Sequence, residues 1–152
     1  RVVLLKAFSA SGFVFYTNYT SEKGKAIAQH SKVGLSFFWP SQQRQIQVQG
    51  KASKLSEEES ETYFQSRPRG SQLGAWVSPQ SQVIENRAVL ESSLQQLEKK
   101  YKDQRIPKPK HWGGYLIAPQ AFEFWQGRPN RLHDRIRYLQ VDSEWKYERL
   151  AP

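Results

Sequence analysis

Alternation of hydrophobic and polar positions dominates the chain and predicts a mostly β protein. Gln45 to Leu55 shows the pattern best, because Ile46, Val48 and Ala52 fall on one face and glutamines fall on the other. The small residues Ser9 to Gly12 separate the first two strand-like runs, which predicts a hairpin. Besides Gln45 to Leu55, strands are predicted at Val2 to Phe8, Phe13 to Asn18, Val33 to Trp39, Tyr115 to Ala118, Ala121 to Gln126, Leu132 to Val141 and Trp145 to Leu150.

Helical insertions interrupt the strands. A short helix is predicted at Ser21 to His30, and Ser56 with Glu59 forms a capping box that begins a second helix. A longer helix is predicted from Glu85 to Lys102, with a core stripe of Leu90, Leu94, Leu97 and Tyr101 at helical spacing. An extended connector, IPKPK, follows it. Interleaved strands of this kind favour an α+β fold, mostly β, in which an antiparallel barrel carries peripheral helices.

Length and composition place the chain among globular proteins. Its 152 residues predict a single domain, 1–152, and 38% of them are hydrophobic. The chain has no cysteine, which fits a reducing, cytoplasmic setting and removes thiolate nucleophiles and thiolate metal sites. No run approaches membrane-spanning length, so no membrane partner is expected. The chain has no methionine and opens on a strand-like run, so we expect the full protein to have a preceding N-terminal segment.

The formal net charge of +9 allows three kinds of partner: nucleic acid, an anionic membrane, or small phosphorylated ligands. The basic residues are scattered, and no run of five or six occurs. Zinc-finger spacing, RNP-type aromatic motifs and a clear recognition helix are all missing. A basic nucleic-acid-binding module is therefore kept as a less favoured alternative.

The segment Glu123 to Arg135 concentrates Trp125, Arg128, Arg131, His133 and Arg135 between two strand-like runs. Guanidinium groups stack on aromatic rings and grip phosphates, and an indole can wall a pocket. Such a cluster suits a flat, anionic, aromatic ligand. A basic hairpin lying in solvent explains the same residues, and the segment alone does not decide between these readings.

Several segments together resemble the pyridoxine/pyridoxamine 5′-phosphate oxidase family, in order and with compatible spacing from Arg1 to Pro152. They are RVVLLK, RQIQVQG, SRPRGSQLGAWVSPQS, WGGY, FEFWQGRPNRLHDR and the terminal ERLAP. The resemblance implies a split β-barrel that binds FMN at the interface of a homodimer. It also implies oxidation of pyridoxine or pyridoxamine 5′-phosphate by O2 to pyridoxal 5′-phosphate, with release of hydrogen peroxide.

The resemblance also assigns roles to individual residues, with no metal ligand among them. FMN contacts are expected from Arg1, Val2, Val3, Leu4, Leu5, Lys6, Tyr16, Thr17, Lys23, Gln45, Gln80, Ser81, Trp125 and Arg135. The substrate phosphate is expected at Lys6, Tyr63, Arg67 and Ser71, and the pyridine ring at Arg131, Leu132 and His133. Arg131 and His133 are the expected catalytic residues. If they share the predicted strand, their i and i+2 positions project from one face.

Simpler readings exist for three of these residues. His133 could be a hairpin histidine bonded to Asp134, Arg67 could be solvated at the surface, and Trp125 could be a packing residue. At the level of function, a flavin-binding reductase or a non-catalytic binder of flavin or pyridoxal phosphate is the main alternative. Such relatives share the barrel without the oxidase reaction.

One position departs from the family pattern. Glu22 stands in the segment SEKGK where many members have arginine. A carboxylate pointing inward would repel the FMN phosphate. We expect Glu22 to face solvent and Lys23, with a possible contribution from Lys25, to supply the positive charge.

Overall fold

The computed structural model describes all of residues 1–152, and its seven strands form one curled antiparallel sheet, which confirms the predicted fold class. The strands are β1 (Ala7–Ser9), β2 (Gly12–Asn18), β3 (Lys32–Trp39), β4 (Arg44–Lys54), β5 (Trp112–Gln126), β6 (Asp134–Val141) and β7 (Glu144–Leu150). The helices are α1 (Glu22–Gln29), α2 (Glu57–Ser66), α3 (Arg69–Val77) and α4 (Arg87–Lys100). None of the four has the length and apolar character needed to cross a membrane.

Strand β5 is the centre of the sheet. One edge pairs with β2 along the first half of β5 and with β6 along the second half, while the other edge pairs with β4. Two separate strands were predicted here, Tyr115 to Ala118 and Ala121 to Gln126, and they are one. The register shifts between Gln49 and Gly50 of β4, so the ladder continues past Pro119. A Cβ on Gly50 would lie 2.3 Å from the Ala118 carbonyl oxygen, so only glycine fits this close approach.

Two hydrophobic clusters hold the helices and the sheet together. The first joins Phe64, Leu73, Tyr101, Ile106 and Trp112, and Leu94 and Leu97 of α4 pack against it. These contacts confirm the predicted core stripe of α4 at Leu94, Leu97 and Tyr101. The second cluster joins Phe15, Ala52, Tyr115 and Ile117 between β2, β4 and β5. Its residues alternate along their strands, as the sequence pattern requires.

The chain differs from the predicted elements at its beginning and in the middle. The first strand begins at Ala7 rather than Val2, and before it only the Lys6 amide makes a ladder-type bond, to the Val14 carbonyl. Helix α3 was not predicted. It begins directly after Pro68 and contains Gly70 and Gly74, and glycine lowers helix propensity enough to hide the hydrophobic period.

The segment that carries Arg131 and His133 also differs from the prediction. Pro129 begins a 3-10 turn, Asn130 and Arg131 have φ values of 58° and 61°, and β6 begins only at Asp134. Proline fixes its own φ and favours such a turn over a strand. Arg131 and His133 therefore do not share a strand, and their predicted projection from one face is wrong.

The capping box at the start of α2 is confirmed. The Ser56 hydroxyl accepts the Glu59 amide at 3.1 Å, and the Glu59 carboxylate accepts the Ser56 amide at 2.9 Å. These bonds to Ser56 lower the pKa of the Glu59 carboxyl. Because the pKa of Glu59 is lower in the folded protein than in the unfolded chain, the ionised carboxylate stabilises the fold at pH values above the unfolded pKa. This stabilisation is lost as the pH falls through the folded pKa.

We expect Ser56→Ala to lower the free energy of unfolding by about 1 kcal/mol at neutral pH, because a helix loses its N-cap. Urea unfolding measures the change. Ser93→Ala is the matched control, since the Ser93 hydroxyl only bonds the Val89 carbonyl within α4. The difference between wild type and Ser56→Ala should shrink as the pH falls below the usual carboxyl range. A pH-independent difference would show that Glu59 takes no part.

Candidate active site

A cleft of about 510 Å³ lies between the N-terminal segment, β2 and the corner where α2 meets α3. Its charged lining consists of Lys6, Lys23 and Arg67, and no carboxylate lines it. Three cations without a counter-charge predict an anionic ligand. The predicted site residues that the cleft brings together are Val2, Val3, Leu4, Lys6, Tyr16, Thr17, Lys23, Tyr63, Arg67, Ser71 and Gln80.

Lys23 is held in the cleft by neutral oxygens. Its Nζ donates to Gln80 Oε1 at 2.8 Å and to Thr17 Oγ1 at 3.1 Å. Burial, and next the nearby charge of Arg1, lowers the pKa of the Lys23 ammonium. An anion placed beside Lys23 would replace lost solvation and oppose both effects. The first turn of α1 therefore presents a cation that an anionic ligand would stabilise.

Arg67 stands at the corner between α2 and α3. Its Cζ lies 4.6 Å from the centre of the Trp112 ring, and its Nη1 is buried without any hydrogen-bond partner. Burial lowers the pKa of the guanidinium, although Tyr63 opposes this shift. A buried, unpaired N–H donor is costly, so its presence at the wall of a cleft is best explained by an anion that accepts it. The surface-solvation reading of Arg67 is therefore wrong.

Helix α3 begins at the same corner and adds neutral donors. Its N-cap is Pro68, which provides no side-chain cap, and Ser71 lies in its first turn. Pro68 and Ser71 both line the cleft. The positive end of a helix dipole favours phosphate groups, so the helix start, the Ser71 hydroxyl and Arg67 can act on one anion.

Aromatic rings form a flat wall in this cleft. Tyr16 stacks on Tyr63 with centroids 3.8 Å apart and on Trp112 at 5.4 Å, with planes within 17° of parallel. Burial, followed by the proximity of Tyr63, raises the pKa of the Tyr16 hydroxyl. Tyr16 therefore remains a neutral hydrogen-bond donor near neutral pH.

The remaining predicted FMN residues lie elsewhere on the chain, in a row across three strands. Gln45 of β4 faces Trp125 of β5, and Trp125 faces Arg135 of β6. Gln45 and Trp125 line a second hollow of about 480 Å³. Arg135 donates to both oxygens of Glu123, at 2.8 and 3.1 Å, and this ion pair raises the pKa of its guanidinium.

The turn at Arg131, Leu132 and His133 lies beside that row. His133 Nδ1 accepts the Arg128 amide at 3.1 Å, and its ring centre lies 4.8 Å from that of Trp125. Since Nδ1 is the acceptor, a neutral His133 ring carries its proton on Nε2. Asp134 instead bonds Arg128 and Arg149, so the reading of His133 as a partner of Asp134 is wrong.

Three predicted FMN residues lie at the margins of the two groups. Arg1 and Leu5 line an apolar groove that adjoins the cleft, and Ser81 follows the cleft residue Gln80 with a φ of 73°.

Glu22 is exposed and pairs with Lys25 at 3.1 Å. The expectation that Glu22 faces solvent while Lys23 enters the cleft is confirmed, and Lys25 lies outside it.

Several lining residues had no predicted role. They are Asn18, Pro68, Gly74, Ala75, Ser78 and Trp112. Trp112 belongs to the WGGY segment, but no pattern in the sequence indicates that its ring lies under Arg67. That contact depends on β5 reaching the corner between α2 and α3.

Comparison with known protein families agrees with this description. The family described as "Pyridoxamine 5'-phosphate oxidase" matches residues 2–101, and the "Pyridoxine 5'-phosphate oxidase C-terminal dimerisation region" matches residues 112–152. A pyridoxine/pyridoxamine 5′-phosphate oxidase of Flavobacterium psychrophilum is 60% identical over all of this chain and 72% of its own length. The same-named protein of Synechocystis is 53% identical over all of this chain and 71% of its own length.

Solved structures share the fold. PhzG from Burkholderia lata, in complex with tetrahydrophenazine-1-carboxylic acid, superposes with a TM-score of 0.92 at 28% identity, over the whole chain and 74% of PhzG. An FMN binding protein of Nostoc punctiforme, related to pyridoxamine 5′-phosphate oxidase, superposes with a TM-score of 0.76 at 19% identity, over the whole chain and 80% of its own length. The latter likeness shows the fold alone.

Fold and site together define a split-barrel protein with a cationic, aromatic-walled cleft. The family matches and the high identities then identify it further: the chain belongs to the pyridoxine/pyridoxamine 5′-phosphate oxidase family.

We expect inorganic phosphate to raise the melting temperature of the apoprotein, because it binds the folded cleft and not the unfolded chain. Arg67→Met should reduce this shift, since the buried donor at the corner is lost. Arg69→Met is the matched control, because the Arg69 guanidinium bonds the Tyr101 and Gln104 carbonyls instead. Thermal unfolding against phosphate concentration measures the effect. An equal loss in both variants would argue against a phosphate site at Arg67.

Proposed function

We propose that this chain oxidises pyridoxine or pyridoxamine 5′-phosphate to pyridoxal 5′-phosphate, with FMN as cofactor and O2 as electron acceptor, releasing hydrogen peroxide. The observation that carries the proposal is the unpaired, buried Nη1 of Arg67 in a cleft lined by cations alone. Relatives that carry this oxidase name match the whole chain at 50–60% identity.

The cytoplasmic location stays a prediction. The single-domain assignment is also a proposal, supported by β5, which belongs to the C-terminal match and forms the centre of the whole sheet.

The protein is a homodimer, as the matched dimerisation region indicates. Its C-terminal strands carry a suitable apolar face, formed by Phe122, Phe124, Ile136, Tyr138 and Trp145. Rings of this size dominate the stability of interfaces. A second copy covering this face would bury it and bring the C-terminal strands of one subunit against the other.

We infer that each FMN lies between the two subunits. The cleft ends at Trp112 and the second group begins at Trp125, at opposite ends of β5. Thirteen steps along a strand span roughly 40 Å, far more than the length of one flavin ring system. This separation along one strand favours a flavin held between two chains of a dimer over one enclosed by the two groups of a single chain.

Residues of the cleft suit the FMN phosphate and ring. Lys23, Thr17 and Gln80 already form one hydrogen-bonded group, and a phosphate can replace the Gln80 oxygen as acceptor for Lys23. Val2, Val3, Leu4, Lys6 and Tyr16 line the same cleft, and Arg1 and Leu5 line the adjoining groove. Ser81, and from the second subunit Gln45, Trp125 and Arg135, complete the proposed contacts. Bound FMN supplies the redox chemistry by accepting two electrons from the substrate.

The substrate phosphate is assigned to the corner between α2 and α3. Arg67 offers its free donor, Tyr63 and Ser71 offer hydroxyl groups, and Lys6 adds a second charge. The aromatic wall excludes water from one side. The phosphate thus fixes the position of the pyridine ring relative to the flavin, which is the main contribution that a protein makes to such a reaction.

Arg131, Leu132 and His133 of the second subunit are assigned to the pyridine ring. Arg131 is exposed on its turn and free of ion pairs, so it can lie against a ring or bond its oxygen substituent. His133 donates from Nε2, because its Nδ1 is occupied by the Arg128 amide. In this arrangement His133 orients the substrate as a donor.

A flavin-binding reductase, or a binder without oxidase activity, is the second candidate. PhzG, which shares this fold, is solved in complex with tetrahydrophenazine-1-carboxylic acid. The identity to PhzG is 28%, against 60% to the oxidase of Flavobacterium psychrophilum, which favours the oxidase. Hydrogen peroxide formation on addition of pyridoxamine 5′-phosphate to the flavin-loaded protein tests the choice. Flavin binding without peroxide would support the second candidate.

We expect two inactive variants to complement each other when they are co-expressed. Arg67→Met damages the cleft and Arg131→Leu damages the turn, so a mixed dimer has one site with both defects and one intact site. Random pairing should restore about a quarter of the wild-type activity, because half of the dimers are mixed and each has one intact site. The measurement is peroxide formation at a substrate concentration below the KM of the Arg67→Met variant.

Two cleft variants serve as the control for this experiment. Arg67→Met and Lys6→Met both damage the cleft. In their mixed dimer one site therefore carries the first defect and the other site carries the second, so neither site is intact. No recovery above the separate variants is expected there. Equal activity in both mixtures would contradict a site shared between subunits.

We expect Arg131→Leu to lower kcat/KM by about a hundredfold, because it removes a charged contact to the ring in the transition state, while flavin content is unchanged. Anaerobic reduction of the flavin by pyridoxamine 5′-phosphate, followed at the flavin absorption band, measures the chemical step. Arg128→Leu is the matched control on the same turn, since Arg128 pairs with Asp134. A wild-type reduction rate in Arg131→Leu would make Arg131 a structural turn residue.

A further inference from the structure

Gln72 is a buried amide behind the proposed phosphate corner, and it has no place in the lining of the cleft. Its side chain lies on α3 and the residue is 7% exposed. Nε2 donates to the carbonyl oxygens of Phe64 at 3.2 Å, Gln65 at 3.2 Å and Arg67 at 3.1 Å. One amide group therefore ties the last turn of α2 to the first turn of α3.

These three carbonyls surround the residue that carries the free donor. A helix end leaves its last carbonyls without intrahelical partners, and buried carbonyls need a donor from elsewhere. Gln72 supplies that donor at the C-terminal end of α2, where Arg67 is the C-cap. The backbone of Arg67 is held by Gln72, and its guanidinium is held against Trp112. The direction of the free Nη1 is set by both restraints together.

We propose that Gln72 is a positioning residue that selects for the phosphate group of the substrate. It acts through Arg67 and touches neither substrate nor flavin. The proposal rests on the proposed function, in which Arg67 holds the substrate phosphate. Without the amide, the corner loosens, and Arg67 loses a fixed orientation toward a doubly charged anion. Selection between a phosphorylated substrate and its unphosphorylated form should fall, while flavin binding by the Lys23 group is unchanged.

Gln72→Met tests the proposal, because methionine keeps the unbranched shape and removes the donor. The flavin-loaded enzyme is assayed with pyridoxamine 5′-phosphate and with pyridoxamine. We expect KM for the phosphorylated substrate to rise about tenfold with kcat nearly unchanged, and kcat/KM for pyridoxamine to remain within about twofold. If Gln72→Met does not fold, Gln72→Asn, which keeps the amide on a shorter stem, is assayed in the same way.

Gln65→Met is the matched control, because the Gln65 amide bonds Glu61 and the Ile106 carbonyl, away from the corner. It should leave the preference for phosphate unchanged. A Gln72 variant that slows both substrates equally, or that loses flavin, would overturn the proposal and leave Gln72 a purely structural residue.

Arg67→Met, assayed in parallel, separates the two levels of the argument. If it abolishes the preference for phosphate and Gln72→Met does not change it, the inference about Gln72 is wrong while the assignment of Arg67 stands. If Arg67→Met leaves the preference intact, the assignment of the phosphate to this corner is wrong, and the role of Gln72 falls with it.

Discussion

The uncompensated positive charge of the cleft is the constraint on which the rest of the structure depends. Lys6, Lys23 and Arg67 converge on one space that no carboxylate lines. Desolvating cations without counter-charges costs free energy, so the surrounding fold must hold them in place. The hydrogen bonds of Lys23 to Thr17 and Gln80 and the stacking of Arg67 on Trp112 are the restraints that do so. An anionic ligand would supply a counter-charge to these cations.

Strand β5 connects this cleft to the rest of the site. It begins at Trp112, under Arg67, and ends beside Trp125, in the row with Gln45 and Arg135. A continuous strand is rigid enough to fix two groups at its ends but too long to let them meet. If both groups contact one FMN, as proposed, the strand that carries part of the hydrophobic core also makes the site dependent on a second subunit. The exposed rings on its C-terminal half belong to this arrangement, because a chain that needs a partner must present a face for it.

The sequence predicted the regular part of the fold well, for a physical reason. Strands such as β4 bury one face, so the side-chain period of two is written directly in Ile46, Val48 and Ala52. The capping box of α2 was equally readable, because its two bonds join residues three apart. Local interactions and burial on one face leave a local signal, and these elements depend on little else.

The elements that differ from the prediction are those that long-range contacts decide. Helix α3 contains two glycines and is held in place by side-chain bonds. Two of these reach distant parts of the chain: Arg69 bonds the Tyr101 and Gln104 carbonyls, and Trp76 bonds the Pro107 carbonyl. The bond of Gln72 to the Arg67 carbonyl is the local one. Residues 1–6 are apolar enough for a strand but lie along the cleft. The turn at Arg131 follows from the φ of Pro129, a signal that was present in the sequence and was outweighed by the alternation after it.

The predicted site residues divide in the same way. The resemblance named the residues of both groups, and the cleft brings eleven of them together. Sequence order could not show that the others lie at the far end of β5, since the distance between groups depends on the pairing of β2, β4 and β6 with that strand. Trp112 and Gln72 lie inside the segments WGGY and SRPRGSQLGAWVSPQS, but only the structure shows that each contacts Arg67.

Ligand binding and folding are linked through the desolvated cations. The lowered pKa of Lys23 means that the unfolded chain binds its proton more tightly than the folded chain does. The stability of the ligand-free protein therefore rises with pH between the folded pKa of Lys23 and the ordinary lysine pKa. Below the folded pKa, the cost of burying the charged ammonium is fully present. A phosphate bound beside Lys23 would oppose the shift, because it favours the charged ammonium. The folded protein is thus least favoured when Lys23 is charged and has no anion beside it, and an anion that binds only the folded protein would offset part of that cost.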